Sequence, residues 1–88
     1  MTKYKTALTH EAVALKMGGI KEIEEERELV AGSVFFTFEG KRDCRKVIEL
    51  TKQGRLKQNP FNVILYYRDY VEKAVAMKRN GRGRYELH

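Results

Sequence analysis

Apolar positions along this chain change their spacing from segment to segment, and each change marks an element. Residues His10 to Met17 contain Ala12, Val13, Leu15 and Met17, a short helix apolar on more than one side and so predicted to be buried. Thr9 stands where an N-cap hydroxyl belongs, and Gly18-Gly19 where a helix stops. From Ser33 to Glu39 the spacing is extended: Val34, Phe36 and Phe38 alternate with Phe35 and Thr37, which predicts a strand ended by Gly40. A helix from Cys44 to Gln53 follows, with Asp43 as its cap, Cys44, Val47, Ile48 and Thr51 as its buried stripe and Leu50 at the edge. Gly54 stops it. Asn59-Pro60 then opens the longest helix, because Asn accepts from orphan N–H groups and Pro suits the first helical position. Phe61, Ile64, Leu65, Tyr67, Tyr70, Val71, Ala74 and Met77 recur there at steps of three and four, up to Asn80-Gly81. Asn62, Asp69, Glu72, Lys73 and Arg79 take the other side, with Asp69 and Lys73 in a favourable i,i+4 relation.

Residues 20–30 are the ambiguous stretch. The Glu-Glu-Glu-Arg-Glu run suits a helix, yet Ile20, Ile23, Leu29 and Val30 fit neither period, so helix and strand both stay open on pattern alone. The strand at 33–39 needs a partner, and Gly32-Ser33 offers a turn before it. The segment is therefore read as the first arm of an antiparallel hairpin, its acidic residues on a solvated part of the arm. The order is helix, hairpin, helix, long helix. That is an α+β domain (α-β-β-α-α) over residues 1–81, with 82–88 as a basic C-terminal tail that is frayed or forms a short terminal strand.

Composition changes this picture in two ways. With 88 residues there is room for one small domain, and with a single cysteine there is no intramolecular disulfide to support its thin core. Packing or self-association must supply the stability, and a homodimer through the tyrosine-rich long helix is one expectation. The net charge of +6 is also unevenly placed. Residues 1–40 carry five basic and seven acidic side chains, whereas residues 41–88 carry thirteen basic and five acidic. No apolar run approaches the roughly 18–20 residues that span a bilayer. The N-terminal residues lack a signal-peptide core, so the expected setting is the cytoplasm, with no membrane partner.

Catalytic chemistry finds little to work with. Ser33 is the only serine and has no histidine near it in sequence. Cys44 lies on the apolar stripe of its helix, where cysteine is usually a small core residue, although Arg42, Arg45 and Lys46 beside it would favour a thiolate. One cysteine with His10 and His88 has no zinc-ligand spacing. Glu39-Gly40-Lys41 superficially matches the acid-x-Lys element of metal-dependent nucleases but lacks a second carboxylate of fixed register. Gly18-Gly19 lacks the Lys-Ser/Thr of a phosphate loop. The expectation is no enzyme, no catalytic residue, no metal and no cofactor.

Binding signals are stronger. Lys41, Arg42, Arg45, Lys46, Lys52, Arg55 and Lys57 run along the second helix and its loop, and Arg45, Lys46 and Lys52 avoid the buried stripe. Such a set supplies sequence-independent attraction to phosphate backbones. Lys78 and Arg79, then Arg82 and Arg84, extend the candidate set at the end of the long helix. Arg82-Gly83-Arg84 resembles the heart of an AT-hook without its flanking prolines. Tyr66, beside the main stripe, is an aromatic expected to be exposed. Ala31 to Phe38 is similar to the third strand of an RNA-recognition motif, in which sheet aromatics stack on bases, but Ala31 and Ser33 stand where that motif has a basic residue and an aromatic.

Along residues 4–79 the chain resembles a domain-of-unknown-function family of small phage and prophage proteins (DUF5659-like). Tyr4-Lys5-Thr6, the helix ending at Gly18-Gly19, and Val34-Phe35-Phe36-Thr37-Phe38-Glu39-Gly40 carry the resemblance. Gly54-Arg55-Leu56 and Asn59-Pro60-Phe61 complete it; the acidic arm 21–28 and the Arg-Gly-Arg tail depart from it. The resemblance implies a viral or mobile-element accessory role and brings no catalytic residues with it. Two functions are expected from different classes. One is a small non-enzymatic protein that binds nucleic acid through its basic C-terminal half. The alternative is a protein-interaction module using the acidic arm and the hairpin edge.

Overall fold

The computed structural model describes residues 2–56 and 58–86, with side chains as far as Arg79. The chain is an α+β domain: strand β1 (Lys3–Thr6), helix α1 (Thr9–Met17), strands β2 (Glu28–Val30) and β3 (Ser33–Glu39), helix α2 (Lys41–Lys52) and helix α3 (Pro60–Glu86). The sheet is antiparallel in the order β1-β3-β2. β1 was not expected from the sequence. Lys-Tyr-Lys-Thr has one large apolar residue, and its place in the sheet comes from pairing Tyr4 with Phe38 and Thr6 with Phe36.

Strand alternation puts Val34, Phe36 and Phe38 on one face of the sheet, and the helices cover that face. α1 packs against both α2 and α3 as well as β1, while α2 leans on β1 and β3 and α3 on β2 and β3. Held between two helices, α1 buries Ala12, Val13, Ala14 and Leu15 together, as its all-round apolar pattern requires. The contact with α2 is tight at the end of α1. A Cβ on Gly18 would lie 2.6 Å from Val47 Cγ1, so glycine is needed there for space.

The acidic arm is an edge strand interrupted by a turn. Lys21 to Ile23 pair with the end of β3: Ile23 N–H donates to Thr37 O at 2.8 Å, and Glu39 N–H to Lys21 O at 3.0 Å. A 3₁₀ turn at Glu24–Glu26 follows, and β2 rejoins β3 beyond it. This alternation of bridge, turn and strand is why the apolar residues of 20–30 fit no single period. The acidic residues of the arm are not simply solvated, which corrects that expectation. Glu22 is buried, Glu26 binds Lys3 at 2.7 Å, and Glu28 binds Lys5. The two lysines project from β1 on the same face as Thr37 and Glu39, so these ion pairs span the outer face of the sheet.

Several boundaries also differ. Leu8 precedes α1, Thr9 is its first residue, and Thr6 Oγ1 accepts from Leu8 N–H at 3.1 Å. α2 begins at Lys41, because Gly40 turns the chain directly from strand to helix at φ +77°, leaving Asp43 in the first turn instead of at the cap. The hairpin turn is Ala31-Gly32, with Ser33 already paired to Val30. Asn59 does cap α3: its Oδ1 accepts from Phe61 N–H at 2.9 Å. α3 then continues past Gly81 to Glu86, so the expected terminal strand does not form over 82–86; Leu87 and His88 lie outside the described residues.

The rotation of α3 departs most from the sequence reading. Of the predicted stripe only Tyr70, Ala74 and Met77 face the core, joined by Val63 and by Tyr66, which was expected to be exposed. Phe61, Ile64, Leu65, Tyr67 and Val71 lie exposed, together with Val75. The long helix is apolar on two sides, and one residue decides which side packs. Tyr70 is buried with its ring edge-on to Phe36, centroids 4.8 Å apart, and its hydroxyl donates to Glu22 Oε1 at 2.8 Å.

Candidate nucleic-acid interface

The candidate surface is built on α2. Cys44 and Ile48 are buried, with Val47, Leu50 and Thr51 half-buried beside them, and this stripe fixes the rotation of the helix. At about 100° per residue the opposite face is centred on Arg42, Lys46, Glu49 and Gln53, with Arg45 at its flank and Lys52 and Lys41 nearer the border with the buried stripe. All of these are exposed, and so is Arg55 in the following loop. The expected placement of Arg45, Lys46 and Lys52 off the buried stripe therefore agrees with the structure, whose earlier helix start adds Lys41 and Arg42 to the same helix.

Some cations elsewhere are paired, while Lys16, Lys21, Lys78 and Arg79, like the α2 set, have no carboxylate partner among the described residues. Lys3, Lys5, Arg27, Arg68 and Lys73 each stand within 4.0 Å of a carboxylate. Among the described residues, no such partner reaches Lys41, Arg42, Arg45, Lys46, Lys52 or Arg55. Glu49 sits at helical spacing from Arg45 and Lys52, yet it accepts from Gln53 Nε2 at 3.1 Å. Lys41 and Arg42 also occupy the first turn of α2. There the helix dipole disfavours a cation by about 0.3–1 kcal/mol, so their charge is not placed for helix stability.

The remaining candidates are not all brought together. Lys78 and Arg79 are exposed on α3, and α1 lies between α3 and α2. They therefore belong to a different helix face from the α2 set. Lys57 lies outside the described residues, as do the side chains of Arg82 and Arg84. Tyr66 is half-buried and packs against the core. Phe35 is half-buried on the outer sheet face, paired with Glu28, which in turn binds Lys5.

Other titratable groups serve the fold. Cys44 is fully buried, its thiol donates to Glu39 O at 3.4 Å, and burial, helped by Asp43, pushes its pKa up. The basic neighbours expected to favour a thiolate do not overcome that burial. Tyr4 and Thr6 both donate to Glu11 Oε1, at 2.8 and 2.7 Å, and burial together with the Glu11 bond holds the Tyr4 phenol up at about 12.

A second polar cluster, which sequence reasoning missed, is Glu22, Arg27 and Tyr70. Arg27 donates through Nε and Nη2 to the two Glu22 oxygens at 2.6 and 2.8 Å, a bidentate fork. Its guanidinium lies over the rings of Phe36 and Tyr70, 5.5 and 5.9 Å from their centroids. Burial alone would raise the Glu22 pKa; the Arg27 and Tyr70 bonds outweigh it and hold the carboxylate below its ordinary value. No spacing rule marks Glu22 out within an acidic run. Its orientation follows from pairing with Phe38, which turns it toward the helices.

Among the described residues, no three His, Cys, Asp or Glu side chains lie together as a metal site, and no helix is long and apolar enough to cross a membrane. The polar residues that do converge are occupied with one another. The exposed chemistry is the cationic face of α2. Comparison with known proteins adds no relative: no family model, no curated protein and no solved structure matches this chain.

Proposed function

We propose that this domain is a small non-enzymatic accessory protein that binds nucleic acid through the phosphate backbone, using the outward face of α2. The observation that carries the reading is the set of exposed cations on that face and at its border, Arg42, Arg45 and Lys46 with Lys41 and Lys52 beside them and Arg55 beyond, none paired among the described residues. Point charges on a helix without an aromatic platform favour phosphate contact over base reading, so affinity depends little on sequence and strongly on salt. Lys78 and Arg79 act as a separate, weaker contact because α1 stands between the two helices. A buried free thiol fits work in a reducing cytoplasm.

The acidic arm gives less support to the alternative protein-docking role, since Glu22, Glu26 and Glu28 are already engaged by Arg27, Lys3 and Lys5. Fluorescence anisotropy with labelled single-stranded and duplex oligonucleotides of unrelated sequence tests the proposal. Binding of each at low salt, lost as salt rises, is expected. Absence of binding at low salt overturns it.

A further inference from the structure

The exposed side of α3 is a second surface, and the proposed role of α2 does not depend on it. Phe61, Ile64 and Leu65 are 75%, 64% and 58% exposed, and Tyr67, Val71 and Val75 continue the apolar stripe along the helix. Phe61, Ile64, Arg68, Val71 and Val75 succeed one another at steps of three and four, the 3.5-residue repeat of a seam between two helices. The seam is about 21 Å long from residue 61 to residue 75 at 1.5 Å per residue. An apolar stripe of that length is unusual on a free helix surface.

We infer that this face pairs with the same face of a second copy, the two α3 helices running antiparallel about a two-fold axis level with Tyr70. The charges at the centre of the seam choose both the occupant and the direction. Arg68 and Glu72 sit one turn apart, both exposed, with 4.0 Å between Nε and Oε1. A two-fold at residue 70 sets Arg68 of each copy opposite Glu72 of the other. The same axis brings Ile64 and Leu65 against Val75 of the second copy. A parallel arrangement would set Arg68 against Arg68 and Glu72 against Glu72, which is repulsive. The Arg68 and Glu72 charges are therefore complementary to themselves in the antiparallel direction, with residues 65–75 of the two stripes overlapping and Phe61 falling level with Arg79 of the second copy. A contact between two single helices is at the low end for specific interfaces, so the association is weak, about micromolar in Kd or weaker. Tyr70 faces the core on the other side of the helix, so pairing leaves its contacts with Phe36 and Glu22 intact.

Sedimentation equilibrium of the full chain from about 1 to about 200 μM tests the inference against that affinity range. A concentration-dependent monomer–dimer equilibrium is expected. Ile64→Asp, at an exposed position, weakens it at least about tenfold. Arg68→Glu weakens it by like-charge contact, and adding Glu72→Arg restores it, because the exchange re-forms the cross-pairs. Circular dichroism confirms that each variant is folded. A chain that stays monomeric throughout the range overturns the inference and leaves the face for a different protein. A dimer indifferent to Ile64→Asp, or an Arg68→Glu defect that Glu72→Arg does not repair, overturns it equally. None of these outcomes bears on oligonucleotide binding by α2.

Discussion

Replacing Tyr70 by Phe removes one oxygen from the core and tests what fixes the rotation of α3. The ring stays, and with it the edge-on contact to Phe36 at 4.8 Å. What is lost is the hydroxyl that donates to Glu22 Oε1 at 2.8 Å, between two residues that are both buried. A hydrogen bond to a charged acceptor contributes about 1.5–3 kcal/mol. Glu22 keeps both Arg27 donors in the variant, so the carboxylate is not orphaned and the loss stays near the lower end, about 2 kcal/mol. For a domain of this size that lowers Tm by roughly 8–16 °C. Urea denaturation at neutral pH measures it directly. Acid gives a second reading. The Glu22 pKa is held below its ordinary value of 4.5, so its pairing stabilises the fold above that pH and the contribution fades as pH falls through the depressed folded value. The penalty of Tyr70→Phe therefore shrinks on acidification toward that of a neutral hydrogen bond. A variant within about 0.5 kcal/mol of the parent at neutral pH, well under the value of a charged hydrogen bond, would refute the reasoning. So would a penalty that grows in acid.

Other predictions rest on separate contacts. Gly18→Ala forces a methyl to within 2.6 Å of Val47 Cγ1 and costs about 1–3 kcal/mol in thermal or urea unfolding, part of which Val47→Ala recovers. Ala31 holds φ +52° beside Gly32 at +81° in the two-residue turn between Val30 and Ser33, so Ala31→Asn stabilises the domain by about 1 kcal/mol, read as a higher Tm. Cys44 reacts with a maleimide only when the domain opens; labelling of the native protein at the rate of a free thiol would contradict its burial and raised pKa.

How much of this was legible in the sequence depends on whether a segment has one apolar side or two. α2 has one, and its buried and cationic faces both followed from the spacing of Cys44, Val47, Ile48 and Thr51. The alternation of Val34, Phe36 and Phe38 likewise gave the inner face of β3, and Asn59-Pro60 gave the start of α3. α3 has two apolar sides, so its periodicity specified a helix and left the rotation open; the contact of Tyr70 with Glu22, 48 residues away, settled it. Glu22 was illegible for a related reason. Within its acidic run it differs from Glu24 and Glu25 only in pairing with Phe38, a tertiary fact. The cations were legible one by one, but α1 between α2 and α3 separates Lys78 and Arg79 from the rest, which no count of charge in the C-terminal half could show.

The central claim is that the α2 face holds phosphates, and the salt dependence of binding tests it most directly. Each phosphate contact on duplex DNA contributes about −0.9 to the slope of log K against log salt. The variant Arg42→Gln/Arg45→Gln/Lys46→Gln removes exposed cations with no ion-pair partner among the described residues, so its fold is expected to persist. The account predicts that the parent binds with a slope near −3 or steeper, and that the variant flattens the slope by about two to three. A parent and variant that bind duplex with the same affinity and the same slope would contradict it.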